Sequence, residues 1–294
     1  MNILITGANS GFGQLIIQDL VAAGHKVVGS MRDPSGRNAA PANNLRALGA
    51  GIVEIDVTSD ASVAAGVAAA ENELGQIDVL INNAGVGSHG LQENYSAADM
   101  QWLFDINVFG VQRMSRAVLP AMRARGKGLI VNVSSLLGRV TLPFFGPYNA
   151  TKWALEALSE NYRSELSGFG VEIALIEPGG FPTAFIDNLM KPTSPDRDAG
   201  YGDMAHAPKA AMDGFEDFLA QNPQQNPQLV SDAVVAVLAQ PHGQRAFRTV
   251  IDKIGMGDAV EPMNAQAAQS TAAIYQNMGM DGMLTVKTQD HEPA

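Results

Sequence analysis

The sequence of 294 residues contains no cysteine, which excludes disulfide bonds, thiolate nucleophiles and cysteine-rich zinc sites. Its five histidines, at positions 25, 89, 206, 242 and 291, lack the spacing of metal ligands, so we expect no metal site. Basic residues are also scarce: 19 Lys and Arg against 30 Asp and Glu give a net charge of −11. No cluster of positive charge is present, and binding to nucleic acid is therefore not expected.

Long apolar runs are missing as well. No stretch reaches membrane-spanning length and no basic leader precedes the first apolar strand pattern, so we expect a cytoplasmic protein without a membrane partner. What is present is a composition that is 46% hydrophobic, which is enough for a sizeable core. A chain of this length can form one domain when the fold is of the α/β type.

Short apolar runs alternate with longer segments of helical period. The apolar runs show little polar alternation, as is typical of strands buried on both faces, and they predict a doubly wound, mostly parallel sheet of the Rossmann type. The predicted strands cover residues 2–6, 26–30, 51–56, 79–82, 129–133, 171–177 and 248–251. The predicted helices cover residues 12–23, 58 or 59–74, 96 to about 125 with a possible kink at Pro120, 148–166, 212–219 and 228–239.

The alternation breaks down after Pro178. Residues 184–228 are rich in Pro, Gly, Asp, Gln and Met, and we interpret them as a segment that covers the substrate. We assign this segment to a single catalytic domain, residues 1–255. Residues 256–294 form a methionine-containing C-terminal extension whose role the sequence leaves open.

Three glycines follow the first predicted strand. Gly7, Gly11 and Gly13 stand at the start of a helix, in the spacing Gly-x-x-x-Gly-x-Gly. Glycine there permits a tight turn and a close backbone approach to a pyrophosphate, which the helix N-terminus attracts. A turn that needs glycine for its own geometry is the alternative explanation.

Tyr148 and Lys152 are four residues apart, which places both side chains on one face of a helix. Hydride reduction of a carbonyl produces an oxyanion, and a phenol can protonate it once a nearby ammonium lowers the phenol pKa from about 10. Ser135, at the end of a predicted strand, can donate to the same oxygen. Asn107 can hold a water molecule that completes a proton path. Each residue alone is more often structural, but their order together indicates catalysis.

These motifs resemble the compact, single-domain branch of the short-chain dehydrogenase/reductase family, and the resemblance extends motif by motif over residues 1–183. It implies a nicotinamide-dependent oxidoreductase that forms a homodimer or homotetramer through the helices at 96–125 and 148–166. The catalytic residues it implies are Asn107, Ser135, Tyr148 and Lys152. The cofactor contacts it implies are Gly7, Asn9, Ser10, Gly11, Phe12, Gly13, Arg32, Asp56, Val57, Asn83, Ala84, Gly85, Tyr148, Lys152, Pro178, Gly179, Phe181 and Thr183.

The end of the second predicted strand indicates which cofactor is preferred. An acidic residue there would bind the ribose hydroxyls of NAD, but this chain has Ser30, followed closely by Arg32. A guanidinium suits a 2′-phosphate, so we predict NADP(H), with NAD still possible. Alternatively, Arg32 is a solvated charge paired with Asp33.

Apolar residues between the catalytic serine and tyrosine, and after the last motif, are candidates for the substrate pocket. We predict that Leu137, Phe144, Phe145 and Phe185 form its walls. Met212 and Phe215 are further candidates, although ordinary packing of short helices explains them equally well. The sequence thus predicts an NADP(H)-dependent carbonyl or alcohol oxidoreductase with a small-molecule substrate. The alternatives are an NAD-dependent alcohol or steroid dehydrogenase and a non-catalytic dinucleotide-binding sensor.

Overall fold

A computed structural model describes residues 1–288 and contains one sheet of parallel strands flanked by helices. Seven strands pair in the order β3-β2-β1-β4-β5-β6-β7, which confirms the predicted Rossmann-type fold. Because the strand order reverses between β1 and β4, a crevice opens there at the carboxyl edge of the sheet. The strands are β1 (Asn2–Thr6), β2 (Lys26–Met31), β3 (Gly51–Glu54), β4 (Val79–Asn82), β5 (Gly128–Val133), β6 (Val171–Pro178) and β7 (Arg248–Ile251).

Helices cover both faces of the sheet. Along β1, Ile3 and Ile5 pack against helices on one face and Leu4 packs against helices on the other, so the strand is buried on both sides. The helices are α1 (Gly11–Ala22), α2 (Ala39–Ala47), α3 (Asp60–Leu74), α4 (Ala97–Phe104), α5 (Gly110–Arg125), α6 (Gly146–Ser167), α7 (Ala207–Gln221), α8 (Gln228–Ala239) and α9 (Met256–Asn277). Helices α1, α2 and α8 pack on the Ile3 face, and α3, α5 and α6 on the Leu4 face. Within the described residues, no helix is long and apolar enough to cross a membrane.

Side-chain caps explain where two of the helices begin. The hydroxyl of Ser59 accepts a hydrogen bond from the Ser62 N–H at 3.2 Å, which starts α3. Ser96 and Asp99 form the reciprocal capping box of α4, with hydrogen bonds of 2.8 and 3.2 Å. Both starts agree with the sequence prediction.

The predicted helix over residues 96–125 is wrong as a single element. A π-helical segment, Asp105–Phe109, separates α4 from α5, whereas Pro120 lies inside α5. The carboxamide of Asn107 in this segment makes hydrogen bonds to both backbone groups of Val86, and these bonds hold the wider turn in place.

Two helices were missed and one was predicted too short. In α2 only Ala42 and Leu45 are buried, and in α9 only Gly257 and Val260, so neither helix carries a strong apolar stripe. Helix α7 begins at Ala207 rather than at residue 212. The last part of the predicted extension, residues 289–294, lies outside the described residues.

Candidate active site

The turn between β1 and α1 packs closely against the loop that follows β4. Gly7 has a φ of +71°, and a Cβ atom on it would lie 2.8 Å from the Cα of Ala84. A Cβ atom on Gly13 would lie 2.3 Å from the carbonyl oxygen of Gly7. The carboxamide of Asn83 donates to the carbonyls of Thr6 and Gly7 at 3.0 and 3.1 Å. Glycine at these positions therefore brings the start of α1 to the edge of the crevice.

No side chain caps the N-terminus of α1. Ser10 is the N-cap residue, but its hydroxyl makes no capping hydrogen bond. The first N–H groups of the helix are therefore left for other partners, and together with the helix dipole they suit an anionic ligand. Gly7 and Gly13 are required by close packing, and Gly7 and Gly11 also line a cavity.

A cavity of about 560 Å³ occupies the crevice and extends from the glycine turn to the catalytic side chains. Most of the residues predicted for the site lie around it. The predicted cofactor contacts that line it are Gly7, Asn9, Ser10, Gly11, Phe12, Arg32, Asp56, Val57, Asn83, Ala84, Gly85, Tyr148, Lys152, Pro178, Gly179, Phe181 and Thr183. Gly13, Asn107 and Phe144 are the three predicted site residues that do not line it.

Tyr148 and Lys152 lie on one face of α6, as their spacing predicts. The two side chains are buried, with 8% and 6% of their surface exposed, and the Lys152 Nζ lies 5.6 Å from the centroid of the Tyr148 ring. Lys152 donates a hydrogen bond of 2.8 Å to the carbonyl of Val133, the last residue of β5. Ser135 follows two residues later; its hydroxyl accepts from the Leu137 N–H at 3.1 Å, donates to the Pro178 carbonyl at 3.4 Å and acts to lower the pKa of the nearby Tyr148. The three side chains therefore share one wall of the cavity.

Burial decides the charge of these groups. It raises the pKa of Tyr148, and the hydroxyl of Ser135 acts in the opposite direction. It also lowers the pKa of Lys152 to about 8, against the attraction of Glu156. The expected lowering of the tyrosine pKa by Lys152 is therefore not observed. Loss of solvation is the largest influence on the Tyr148 pKa, and the Lys152 ammonium is directed to the Val133 carbonyl.

Asn107 anchors the backbone around the site instead of facing the cavity. Its Oδ1 accepts from the Val86 N–H at 2.9 Å, and its Nδ2 donates to the Val86 carbonyl at 2.8 Å and to the Thr151 hydroxyl at 3.0 Å. These bonds tie the π-helical segment and the loop after β4 to α6. The role this geometry supports is positioning, whereas the predicted role of holding a water molecule would need a free polar group.

Arg32 and Asp56 line the far end of the cavity. Burial acts to raise the pKa of Asp56, but hydrogen bonds from Thr58 and the nearby charge of Arg32 outweigh it and lower the pKa. Among residues 1–288, Arg32 makes no ion pair within 4.0 Å, and Asp33 instead accepts a hydrogen bond of 2.9 Å from the N–H of Arg37. The proposed pairing of Arg32 with Asp33 is therefore wrong, because Asp33 stabilises the turn that leads to α2.

The predicted substrate walls lie as expected with one exception. Leu137, Phe145 and Phe185 line the cavity, and the ring of Phe185 packs 5.6 Å from that of Tyr148. Phe144 does not line it: with a φ of +69°, this residue directs its side chain to the edge of His89, at 6.0 Å between ring centroids. The prediction for Phe144 is therefore wrong, whereas its neighbour Phe145, which also packs against His89, does line the cavity.

Several residues that line the cavity are not predicted from the sequence. They are large apolar side chains in segments where no motif marks them, and Trp102 is 47% exposed even though it borders the cavity. Partly exposed apolar residues near a catalytic motif are the only signal that would have found them. The missed residues include Trp102, Ile106, Leu142, Leu189 and Met256. Met212 and Phe215 do line the cavity, so packing alone does not account for them.

The described part of the chain, residues 1–288, holds no group of three or more His, Asp or Glu side chains arranged to bind a metal ion. The only charged side chains around the cavity within that range are Arg32, Asp56 and Lys152. All three lie at the glycine-turn end or beside Tyr148. The remaining wall is neutral and largely apolar.

Three of the proteins that are similar to this chain illustrate the comparison with known proteins. A 3-ketodihydrosphingosine reductase from Bacteroides thetaiotaomicron is 41% identical over 186 residues, which cover 63% of this chain and 66% of that protein. The match thus spans just under two thirds of the length of that curated relative. A short chain dehydrogenase/reductase from Burkholderia phymatum, solved with NAD, is 28% identical with a TM-score of 0.70, covering 85% of this chain and 88% of that one. A variant of actinorhodin polyketide ketoreductase, solved with NADPH, is 26% identical with a TM-score of 0.71, covering 87% and 97%.

The family profile described as short chain dehydrogenase matches residues 1–193, about two thirds of the chain. This range contains the glycine turn, Ser135, Tyr148 and Lys152, so the match and the geometry concern the same residues. The chain belongs to the short-chain dehydrogenase/reductase family.

Proposed function

We propose that this protein is an NADP(H)-dependent oxidoreductase that interconverts an uncharged, largely apolar carbonyl compound and its alcohol. The observation that carries the proposal is the placement of Ser135, Tyr148 and Lys152 on one wall of a cavity that continues to the glycine turn. An extended dinucleotide can reach from the glycine turn to the catalytic residues. The relatives solved with NAD and NADPH support a nicotinamide cofactor.

The residues present fit a dinucleotide. The close contacts of Gly7 and Gly13 leave the first turn of α1 free to receive a pyrophosphate, and Asp56 and Val57, which line the cavity, would border an adenine ring. Gly179 is fixed by a hydrogen bond of 2.9 Å to the Ile251 carbonyl, at the end where the nicotinamide would lie. When bound, the nicotinamide supplies or accepts the hydride.

The protein's own groups handle the proton. Because burial raises its pKa, Tyr148 is a neutral phenol across the physiological range and holds the proton that a nascent alkoxide needs. The Ser135 hydroxyl can donate to the same oxygen and orient the carbonyl. Lys152, when protonated, stabilises the phenolate that remains, and it can also bind ribose hydroxyls. Tyr148 is therefore proposed as general acid in reduction and general base in oxidation.

The preference for NADP(H) rests on charge at the far end of the cavity. Ser30 and Arg32 both line that end, and Arg32 forms no ion pair within the described part of the chain. A guanidinium suits a 2′-phosphate, and Ser30 stands at the strand-end position where an acidic residue would bind the ribose hydroxyls of NAD. Titration with NADPH and NADH in parallel tests the preference, and tighter binding of NADH would contradict it.

The substrate half of the cavity indicates the substrate class. Its walls include Trp102, Leu142, Phe145, Phe185 and Met212. Among residues 1–288, the only charged side chain that faces this half is Lys152, at the catalytic end. A carboxylate or phosphate on the substrate would lose its hydration there without gaining a counter-charge. We therefore propose a neutral apolar ketone or aldehyde, which agrees with the keto group in the name of the Bacteroides relative.

The test follows the absorbance of NADPH, and in parallel of NADH, with a panel of ketones and aldehydes graded in apolar length. Tyr148→Phe is expected to reduce turnover by roughly 10²–10⁴-fold, the usual contribution of a positioned general acid. Tyr162→Phe is the matched control, because that tyrosine lies on the same helix but bonds to Gln112, at 2.7 Å. It should retain turnover.

Other outcomes would change the assignment. Turnover with NADH alone would favour an NAD-dependent alcohol or steroid dehydrogenase and overturn the cofactor preference. Binding of cofactor without turnover of any carbonyl or alcohol would favour a dinucleotide-binding sensor. Equal activity in Tyr148→Phe and the unaltered protein would contradict the mechanism.

We further propose that the protein forms a homodimer or homotetramer in the cytoplasm. Large aromatic side chains are exposed along α4, the π-helical segment and α6: Trp102 by 47%, Phe109 by 50% and Trp153 by 45%. Exposed apolar clusters of this kind commonly mark contacts between subunits. Light scattering of the purified protein tests the assembly, and a monomeric mass would refute it. Cell fractionation tests the location.

A further inference from the structure

A buried ionic cluster lies behind the catalytic lysine. Glu156 on α6, Glu177 on β6 and Arg248 on β7 meet there. The exposed fractions of their side chains are 3%, 0% and 9%. Arg248 donates to Glu156 through Nε and Nη2, both at 3.1 Å, and its Nε lies 3.1 Å from Glu177. Asn264 from α9 donates to Glu177 at 2.5 Å. The cluster therefore joins three secondary-structure layers directly behind the site.

Carboxylates outnumber guanidinium groups at this centre. Glu160 is a third partner of Arg248, at 2.5 Å, but it is 39% exposed. Burial raises the pKa of Glu156, against the attraction of Arg248, and burial together with the charge of Glu156 raises the pKa of Glu177 to about 7. Arg248 is therefore the group that allows a carboxylate to stay ionised at this depth.

Glu156 stands one helical turn after Lys152, on the same face of α6. The only hydrogen-bond partner of the Lys152 Nζ is the neutral carbonyl of Val133, and within residues 1–288 no carboxylate lies within 4.0 Å of it. Burial lowers the pKa of Lys152 to about 8, and the charge of Glu156 acts to raise it. Glu156 is the negative charge that opposes loss of the lysine proton.

Glu156 also supports the loop that carries the catalytic serine. A Cβ atom on Gly138 would lie 3.0 Å from the Glu156 Cγ and 3.1 Å from the Ser134 Oγ, so the loop after β5 packs directly on this side chain. The Glu156 side chain therefore packs against the serine loop from the same helix that carries Lys152.

Building on the proposed function, we propose that Glu156 is a positioning residue that keeps Lys152 in its ammonium form near and above neutral pH, with Arg248 keeping Glu156 ionised. Lys152 acts on the cofactor ribose and on Tyr148, while Glu156 acts only through Lys152. The titratable and charged groups that face this pair are Tyr148 and Glu160 on α6, Arg139 after β5, Glu177 on β6 and Arg248 on β7.

The test measures the dissociation constant of NADPH by fluorescence between pH 6 and 9.5, which needs no substrate. In the unaltered protein, binding should weaken as the pH rises through the pKa of Lys152, because a lysine stabilises the bound cofactor only while it is protonated. In Glu156→Gln this weakening should move to lower pH. A shift of one pH unit would make NADPH binding roughly tenfold weaker than in the unaltered protein at the upper end of the transition, with little difference at pH 6.

Glu160→Gln is the matched control. It removes another carboxylate partner of Arg248 from the same helix, but that carboxylate is not among the groups that set the charge of Lys152. Its pH profile should match that of the unaltered protein. Lys152→Met should remove the alkaline weakening altogether. If Glu156→Gln is too unstable to assay, Glu156→Gln combined with Arg248→Met removes both charges of the buried pair and should show the same direction of shift.

An unmoved profile in Glu156→Gln, an equal shift in Glu160→Gln, or an alkaline limb that persists in Lys152→Met would each overturn the inference. If NADPH fails to bind the unaltered protein at any pH, the proposed function fails instead. The two proposals are therefore tested separately.

Discussion

The two halves of the cavity are held by different kinds of contact. In the cofactor half, buried hydrogen bonds end on the backbone: the Thr6 hydroxyl accepts from the N–H groups of Asn83 and Ala84 at 3.1 and 3.0 Å. In the substrate half, residues 184–228 meet the loop after β4 through a short backbone bridge between Ser88 and Met190, and side chains at the surface add further contacts. Arg197 and Tyr201 both bond to Glu93, at 2.7 and 2.9 Å.

This difference determines what each half requires of the sequence. Where the backbone itself forms the site, only particular residues fit, as at Gly7 and Gly13. Where side chains form the wall, the site requires only enough apolar volume. Methionine and aromatic residues can supply that volume in many different sequence orders. The cofactor half should therefore respond sharply to the addition of one methyl group, and the substrate half should not.

The largest effect is expected from placing the same methyl group in the glycine turn and in α7, the helix that carries the cavity residues Met212 and Phe215. Gly13→Ala puts a Cβ atom 2.3 Å from a backbone oxygen that cannot move aside, so we expect the free energy of unfolding to fall by about 1–3 kcal/mol. NADPH binding should be lost with it. Gly214→Ala in α7 meets nothing within 4 Å and should raise the free energy of unfolding by about 0.5–1 kcal/mol.

Urea denaturation and fluorescence titration with NADPH measure both effects. Equal losses of stability and of NADPH affinity in the two variants would contradict the proposed difference between the two halves. Gly214→Ala is also the control for the measurement, because NADPH affinity should stay unchanged in this variant.

The predictability of the fold from sequence follows the same division. Strands and their helices were readable because burial on both faces leaves continuous apolar runs, as in β5 and β6. The break at Asp105–Phe109 was not readable, since it depends on the bonds between Asn107 and the Val86 backbone, which are distant in sequence. Helix α9 was missed because its buried face is too narrow to leave a periodic pattern.

The candidate site divides likewise. The sequence indicates some site residues through their local position. Gly7 and Ser135 come just after predicted strands, and Tyr148 and Lys152 have helical spacing. Trp102 and the other missed wall residues reach the cavity through tertiary packing, which leaves no local pattern. The direction of Phe144 depends on a backbone angle that its sequence does not indicate.

An intermediate effect is expected at the charged end of the cofactor half. Arg32→Ala should weaken NADPH binding by roughly ten- to a hundredfold, the loss expected for a charge-assisted hydrogen bond to phosphate, and should leave NADH binding nearly unchanged. Parallel fluorescence titrations with the two cofactors measure the ratio. Equal weakening of both would show that Arg32 supports the turn near Asn38, whose side chain donates to the Arg32 carbonyl at 2.6 Å, and does not select the cofactor.

The smallest effect on activity is expected in the substrate half, where two neighbouring aromatic residues form a matched pair. Phe145 lines the cavity and Phe144 does not, although both pack against His89, with ring centroids at 4.7 and 6.0 Å. Phe145→Ala should raise KM for a bulky apolar ketone by up to roughly tenfold, because apolar contact area is lost, and kcat should change little.

Phe144→Ala removes a side chain of the same size from the same loop and should leave KM unchanged. Steady-state kinetics with one short and one long ketone separate the two cases, since only a contact with the longer substrate makes the effect depend on chain length. An equal rise of KM in both variants would mean that the loop acts as a unit through His89. The substrate half would then depend on backbone position as strictly as the cofactor half does.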